Sequence, residues 1–416
     1  MEFKKAKNLE EAWYNFDPDL TLPMPEGQAF YVEREGYSLA RLKSNLLRVK
    51  QPKKYFVCGH KGSGKSTELN RLAADRDVQE RFKIVHFSLN ETCDYKTLTY
   101  IDLPVSIALQ LRENTGLKLS DDWKRELDQW FMTVTREIDK KEGYDAEVEA
   151  GAKTFFAGFK LRLKTGTTWR SHMKKVIEPR LMPLLELLNH AVTEIKEKEK
   201  KDLLVIIDNI EKADDSKIKE IIRDNYTSLM ETDIFIIYTL PISLRGDREV
   251  IIHRDQLYPI PCIKYFDRGK RDAFTDGKKL LIEFIEKRMS LELIEEKACE
   301  EAIRLSGGVF RELARVMQIA IDSALEADRD KILFEDLEKV RHEIVKSYQP
   351  ILRPDDYKLM YQIAISNDWL DDVEFMLQHL IVLEYENDTL WLDVRYALLQ
   401  FLEEKYPGNK DEVKED

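Results

Sequence analysis

Gly59-His60-Lys61-Gly62-Ser63-Gly64-Lys65-Ser66 has the spacing G-x-x-x-x-G-K-[ST], in which glycines let backbone N–H groups close around a polyphosphate. Its flanks are those the motif needs. Tyr55-Phe56-Val57-Cys58 before it is a short apolar, β-prone run, and Thr67-Glu68-Leu69-Asn70-Arg71-Leu72-Ala73-Ala74 after it is helix-forming. Strand, glycine loop and helix follow in that order. The expected nucleotide contacts are Gly59, His60, Lys61, Gly62, Ser63, Gly64, Lys65, Ser66 and Thr67. The helix N-terminus adds the positive end of its dipole. Lys65 is expected to reach the β- and γ-phosphates of ATP, and the Ser66 hydroxyl to ligate Mg²⁺.

The strand before the loop implies a sheet. Lys83-Ile84-Val85-His86-Phe87-Ser88-Leu89, Leu203-Leu204-Val205-Ile206-Ile207 and Ile234-Phe235-Ile236-Ile237-Tyr238 are continuous apolar runs. Such runs mark strands covered on both faces. Between them Trp123, Leu127, Trp130, Phe131, Val134 and Ile138 recur at helical spacing, as do Leu181, Leu184, Leu185, Leu188, Val192 and Ile195. Alternating strands and helices predict an α/β domain, a doubly wound parallel sheet, over residues 28–263.

Two strand ends carry chemistry. Leu203–Ile207 closes on Asp208, an acid at a strand's carboxyl end that is expected to hold Mg²⁺ directly or through water. The next position, where many P-loop relatives place a catalytic Glu, is Asn209, so water activation is expected from Glu211, three past Asp208. Thr239 closes the next strand, where a hydroxyl can position the attacking water and sense phosphate.

From about residue 277 the pattern turns helical, with helices expected over 279–291, 294–305, 310–325 and 334–347 and a break at Gly307-Gly308. Near the end, Leu380–Glu386 and Thr389–Asp393 are β-prone runs around an Asn387-Asp388 turn, which reads as a hairpin. Helices followed by a hairpin predict a winged helix. The expected organisation is an N-terminal extension (1–27), the P-loop core (28–263, with a helical and basic-hairpin insertion over 115–200), a helical lid (264–332), a winged helix (333–406) and a flexible tail (407–416).

Composition limits the classes. Hydrophobic residues make up 43% of the 416, and no run approaches the roughly 18 apolar residues of a membrane span. No signal peptide is visible, and the four cysteines form no CxxC pair, so a cytoplasmic, reduced protein is expected. The scattered histidines give no zinc cluster. Net charge is −12, against a generally basic nucleic-acid binder. Residues 152–180 nevertheless carry eight Lys/Arg against Glu178, while 333–406 hold sixteen Asp/Glu against seven Lys/Arg. Within the basic stretch Phe159-Lys160-Leu161-Arg162-Leu163-Lys164 alternates strictly after Ala157-Gly158, which predicts a hairpin with one basic face. That face suits nucleic-acid phosphates, with Phe155, Phe156 and Trp169 to stack on bases, or the acidic C-terminal domain of a neighbour. Protein docking is preferred.

These pieces resemble the AAA+ superfamily and, within it, the STAND and origin-recognition-like ATPases. Phe30-Tyr31-Val32-Glu33-Arg34 looks like the hydrophobic-hydrophobic-Gly-Arg-Glu box that cradles adenine, with Glu33 in place of Gly; the resemblance assigns Tyr31 and Arg34 to the nucleotide. The acid three positions past Asp208 is similar to the STAND arrangement, and Thr239 matches sensor 1. Ser306-Gly307-Gly308-Val309-Phe310-Arg311 resembles the lid motif, which places Arg311 at sensor 2, touching the γ-phosphate. A neighbour's arginine completes the site in such assemblies, with Arg245, Arg248 and Arg254 as candidates. The resemblance implies an ATP- and Mg²⁺-dependent ATPase, a switch that assembles as a homo-oligomer or on an effector protein, in prokaryotic defence or mobile-element biology. Alternatives are a DNA-handling loader or transposition-type ATPase, and a nucleotide-gated scaffold that hydrolyses little.

Overall fold

The computed structural model describes residues 3–34, 39–142, 152–165, 167–225, 231–247, 252–253, 255–386 and 389–405. Arg248, Arg254, the Asn387-Asp388 turn and the 407–416 tail lie outside the described residues. The chain divides into two compact units.

One unit comprises residues 40–58 and 72–258. Its sheet contains β1 (Lys54–Gly59), β2 (Phe82–Ser88), β3 (Asp202–Asp208), β4 (Phe235–Pro241) and β5 (Leu257–Pro259) in the order β2-β3-β4-β1-β5. β2 and β3 pair in parallel from Phe82↔Asp202 to Ser88↔Asp208, and β3 and β4 from Leu204↔Phe235 to Ile207↔Tyr238. β4 and the Leu203–Asp208 stretch of β3 are buried throughout, as continuous apolar runs require. The two expected amphipathic helices are Asp121–Glu142 and Leu181–Glu199; Trp123, Leu127, Phe131, Leu184 and Leu188 are buried.

The basic stretch is not a hairpin. It forms helices Ala152–Thr165 and Thr167–Ile177, with Ala157-Gly158 inside the first. Phe155, Phe156, Phe159 and Leu163 are buried, whereas Leu161 is 63% exposed. A strand would have put Leu161 on the same face as Phe159 and Leu163. The spacing of the buried four is that of one helix stripe. Phe159 meets Phe131 edge-on at 4.8 Å and Trp169 at 5.2 Å, so these rings are core. Five of the eight cations are matched locally: Lys160 with Glu113, Arg162 with Asp139, Arg170 with Asp102, Lys174 with Glu220 and Arg180 with Glu137.

The other unit joins three separated stretches, 1–39, 59–71 and 259–416. Its core draws on helices Leu9–Asn15, Gly277–Arg288, Glu296–Ser306, Phe310–Glu326 and Phe334–Tyr348. The expected break is there: Gly307 (φ +62) and Gly308 (φ +75) are both left-handed, and a Cβ on Gly308 would meet the Ile263 carbonyl oxygen at 2.0 Å. A small antiparallel pair, β6 (Phe266–Asp267) and β7 (Lys270–Phe274), was not signalled by the sequence. Helices Pro354–Ser366 and Glu374–Gln378 precede the hairpin of β8 (Val382–Glu386) and β9 (Leu390–Val394), and helix Tyr396–Lys405 follows it. This is the helix-and-hairpin order of a winged helix. It is tied to the helical block by the buried pair Arg395–Glu312 at 2.8 Å and by Arg271–Asp393.

Candidate nucleotide site

The phosphate loop leaves β1 at Gly59 and enters helix Lys65–Ala74. Gly62 (φ +83) and Gly64 (φ +93) adopt left-handed backbone, and the Ser63 N–H donates to the His60 carbonyl at 3.1 Å. Lys65 is buried. Its Nζ donates to the carbonyls of Gly59 (2.9 Å) and His60 (3.1 Å), so the ammonium lies within the loop. Lys61, Ser66 and Thr67 are half-buried.

Three chain segments surround this loop. From the C-terminal hairpin, the Glu384 N–H donates to His60 Nε2 at 2.8 Å. Burial, and then the Lys65 charge, push His60 down to about 3. From the helical block, the Arg311 N–H donates to the Gly62 carbonyl at 3.3 Å, and its side chain lies where a Gly62 Cβ would be. Arg311 Nε donates to the Pro18 carbonyl at 3.1 Å. From the N-terminal stretch, Arg34 NH1 donates to the Ser63 carbonyl at 2.7 Å.

Tyr31 and Arg34, expected on adenine, face the P-loop helix here. The Tyr31 hydroxyl donates to Glu68 Oε1 at 2.9 Å and accepts from Arg71 at 2.6 Å. Arg34 Nε lies 3.5 Å from the same Glu68 oxygen, with both side chains buried. Burial pushes the Arg34 guanidinium down, and Glu68 works against that shift. Glu68 and Phe310, whose ring lies 4.9 Å from the Arg34 guanidinium, were missed from the sequence. A buried acid in an amphipathic helix carries no motif, and the lid motif that contains Phe310 points to Arg311 rather than to the ring.

The strand-end residues belong to the other unit. Asp208 is buried at the end of β3, and its Oδ1 accepts the Asn209 N–H at 2.7 Å. Asn209 is left-handed (φ +65) and its amide donates to Ser88 Oγ at 2.7 Å, which fixes the turn after β3. Thr239 lies within β4, and its Oγ1 accepts the Ile210 N–H at 3.1 Å. The hydroxyl expected to position water therefore also holds the turn carrying Glu211. Glu211 is buried. Burial pushes the Tyr95 phenol up to about 12, and the charges of Glu211 and Asp208 add to the rise. Arg245 ends a short helical turn after β4 and is half-buried. Among the described residues no helix is long and apolar enough to cross a membrane, and no cluster of His, Cys, Asp and Glu fits a metal ion by side chains alone.

No family model and no curated protein matches the chain. Among solved structures it is similar to Cdc6p from Pyrobaculum aerophilum, at 13% identity and TM-score 0.39, covering 94% of this chain and 98% of that one. It is also similar to Drosophila ORC bound to DNA, at 11% identity and TM-score 0.41, over 96% and 93% of the two chains. A third is the Thermotoga maritima RuvB Holliday junction branch migration motor, at 12% identity and TM-score 0.37, over 94% and 98%. At this distance the likeness bears on no activity, partner or site residue of the chain.

Proposed function

We propose that the chain binds ATP with Mg²⁺ and hydrolyses it, as an AAA+ or STAND-like switch whose nucleotide state governs assembly with further copies or with an effector protein. The observation that carries this reading is the loop: two left-handed glycines and a buried lysine at the head of helix Lys65–Ala74. Those features suit a polyphosphate. The helix N-terminus and loop amides favour negative charge. Lys65 donates to two loop carbonyls and can turn from them to phosphate oxygens.

The Ser66 hydroxyl and the Asp208 carboxylate are hard oxygen donors of the kind Mg²⁺ takes, and the bound ion would neutralise charge on the β- and γ-phosphates. Glu211 would orient the attacking water, with Thr239 holding its turn. Arg311, on the helix that touches Gly62, would exchange the Pro18 carbonyl for the γ-phosphate.

A scaffold that hydrolyses slowly is the second reading. It is favoured by Asn209, which is committed to Ser88 and has no side-chain base to offer. A DNA-handling role loses support because five of the basic residues are matched by acids in their own unit.

Calorimetric titration with ATP and ADP, beside phosphate release, tests these readings. Binding by the unmodified chain, lost in Lys65→Ala, is expected. Glu211→Gln should still bind ATP but release phosphate at least tenfold more slowly. Binding that survives Lys65→Ala unchanged overturns the assignment of the loop. Binding with no turnover in either form selects the scaffold.

A further inference from the structure

We propose that Arg34 is a positioning residue for the phosphate loop, bracing its backbone from below. This rests on the reading that the loop takes a nucleotide.

The guanidinium is almost wholly buried and donates to two successive carbonyls, Ser63 at 2.7 Å and, more weakly, Gly64 at 3.5 Å. Peptide units are planar and trans, so a carbonyl and the following N–H point opposite ways. Fixing the Ser63 and Gly64 carbonyls on Arg34 therefore turns the N–H groups of Gly64 and Lys65 away from it, to the other side of the loop. Those are donors of the kind an anion-binding backbone presents. Gly64 suits this arrangement doubly. Its φ of +93 is open to glycine, and a Cβ there would lie 2.2 Å from Arg34 NH2.

Arg34 is itself held. Glu68, one turn into the helix that the loop opens, supplies the counter-charge, and Tyr31 donates to the same carboxylate oxygen. The ring of Phe310 lies 4.9 Å from the guanidinium and stacks on Phe284 at 5.0 Å. Phe310 immediately precedes Arg311, whose N–H is bonded to Gly62. The brace thus joins loop, P-loop helix and helical block through one side chain. An arginine in this setting acts on the triphosphate of any nucleotide, not on its base.

That distinction sets the experiment. The full chain is titrated with Mg²⁺ and each of three probes: ATP, ITP and inorganic tripolyphosphate. Arg34→Met is expected to weaken all three by a similar factor, roughly 10- to 100-fold, the range for lost hydrogen bonds to a charged group. Arg34→Lys keeps the charge but lacks the planar fork of donors that spans two carbonyls in the native geometry, so its affinities should fall between; loss of packing alone would not grade in this way. If Arg34→Met does not fold, Phe310→Leu leaves the guanidinium and removes the ring beside it, and should give a smaller, equally base-independent loss. Unchanged tripolyphosphate binding with a lost preference for ATP over ITP would make Arg34 a base contact and overturn the proposal. So would unchanged affinity for all three probes. An unmodified chain that binds neither ATP nor tripolyphosphate fails the nucleotide reading itself, and the proposal falls with it.

Discussion

His60 and Glu384, 324 positions apart, are joined by a hydrogen bond: the Glu384 N–H donates to His60 Nε2 at 2.8 Å. One residue is in the phosphate loop and the other in the C-terminal hairpin. The acceptor nitrogen must be unprotonated for the bond to exist.

This makes the contact sensitive to acid. His60 falls from an ordinary 6.5 to about 3 in the folded chain, chiefly through burial. Between those values the unfolded chain holds a proton that the folded chain does not. The associated stability is therefore intact above about pH 6.5 and drains away as pH falls toward about 3, by roughly 1 kcal/mol between about pH 6 and about pH 5. Urea unfolding at both pH values should show that difference shrinking in His60→Gln. An equal pH response in the two proteins would refute it.

Lys65, expected to reach phosphate, is buried and bonded to two loop carbonyls. Lys65→Met should consequently do two things: remove nucleotide binding and lower stability by about 1–3 kcal/mol. Thermal melts without nucleotide check the second effect. A melt identical to that of the unmodified chain would return Lys65 to a purely ligand-facing role.

Glu312 and Arg395 are both buried, and Burial works to raise the Glu312 carboxyl while Arg395 and Arg315 hold it below its usual range. Removing the acid strands a guanidinium in the interior. Glu312→Ala should cost about 3–5 kcal/mol, far more than an exposed charge. Denaturant midpoints for Glu312→Ala and for Glu335→Ala, an exposed acid, give the comparison. Losses of similar size would mean that the pair does not fasten the hairpin block.

The basic helix offers a salt test. Lys160→Gln, Arg162→Gln and Lys164→Gln together remove two ion pairs, one with the partly exposed Glu113 and one with the buried Asp139. The expected outcome is a stability loss of roughly 1–3 kcal/mol, most of it from the buried carboxylate left without its arginine, and no salt-steep DNA binding before or after. Salt-dependent DNA affinity in the unmodified chain, with a log–log slope that drops by roughly two to three in the variant, would assign this face to phosphates instead.

Motifs whose chemistry depends on residue order were legible in the sequence. Gly62, Gly64 and Lys65 announce their loop because few other backbones need two glycines and a lysine at that spacing. The Leu203–Ile207 run announces a doubly covered strand for the same kind of reason. Phe159–Lys164 misled because six alternating residues fit a strand as well as a helix. Only Phe155 and Phe156 upstream, and the exposure of Leu161, separate the two. Arg34 was found by its motif, but nothing in a linear pattern shows that Ser63 and Gly64 present their carbonyls to it. Glu68, which anchors it, looks like any charged position of a helix.

The unit that contains the phosphate loop is assembled from the start, an early stretch and the end of the chain. During synthesis from the N-terminus, the loop segment emerges long before Arg311 and Glu384, which complete its surroundings. Contacts between such distant positions close slowly, because chain entropy is lost before they form. The sheet strands, by contrast, can pair while the last third of the chain is still being made. Nucleotide competence would then be acquired last, and a chain interrupted near its end would carry the whole phosphate motif without the bonded environment that shapes it.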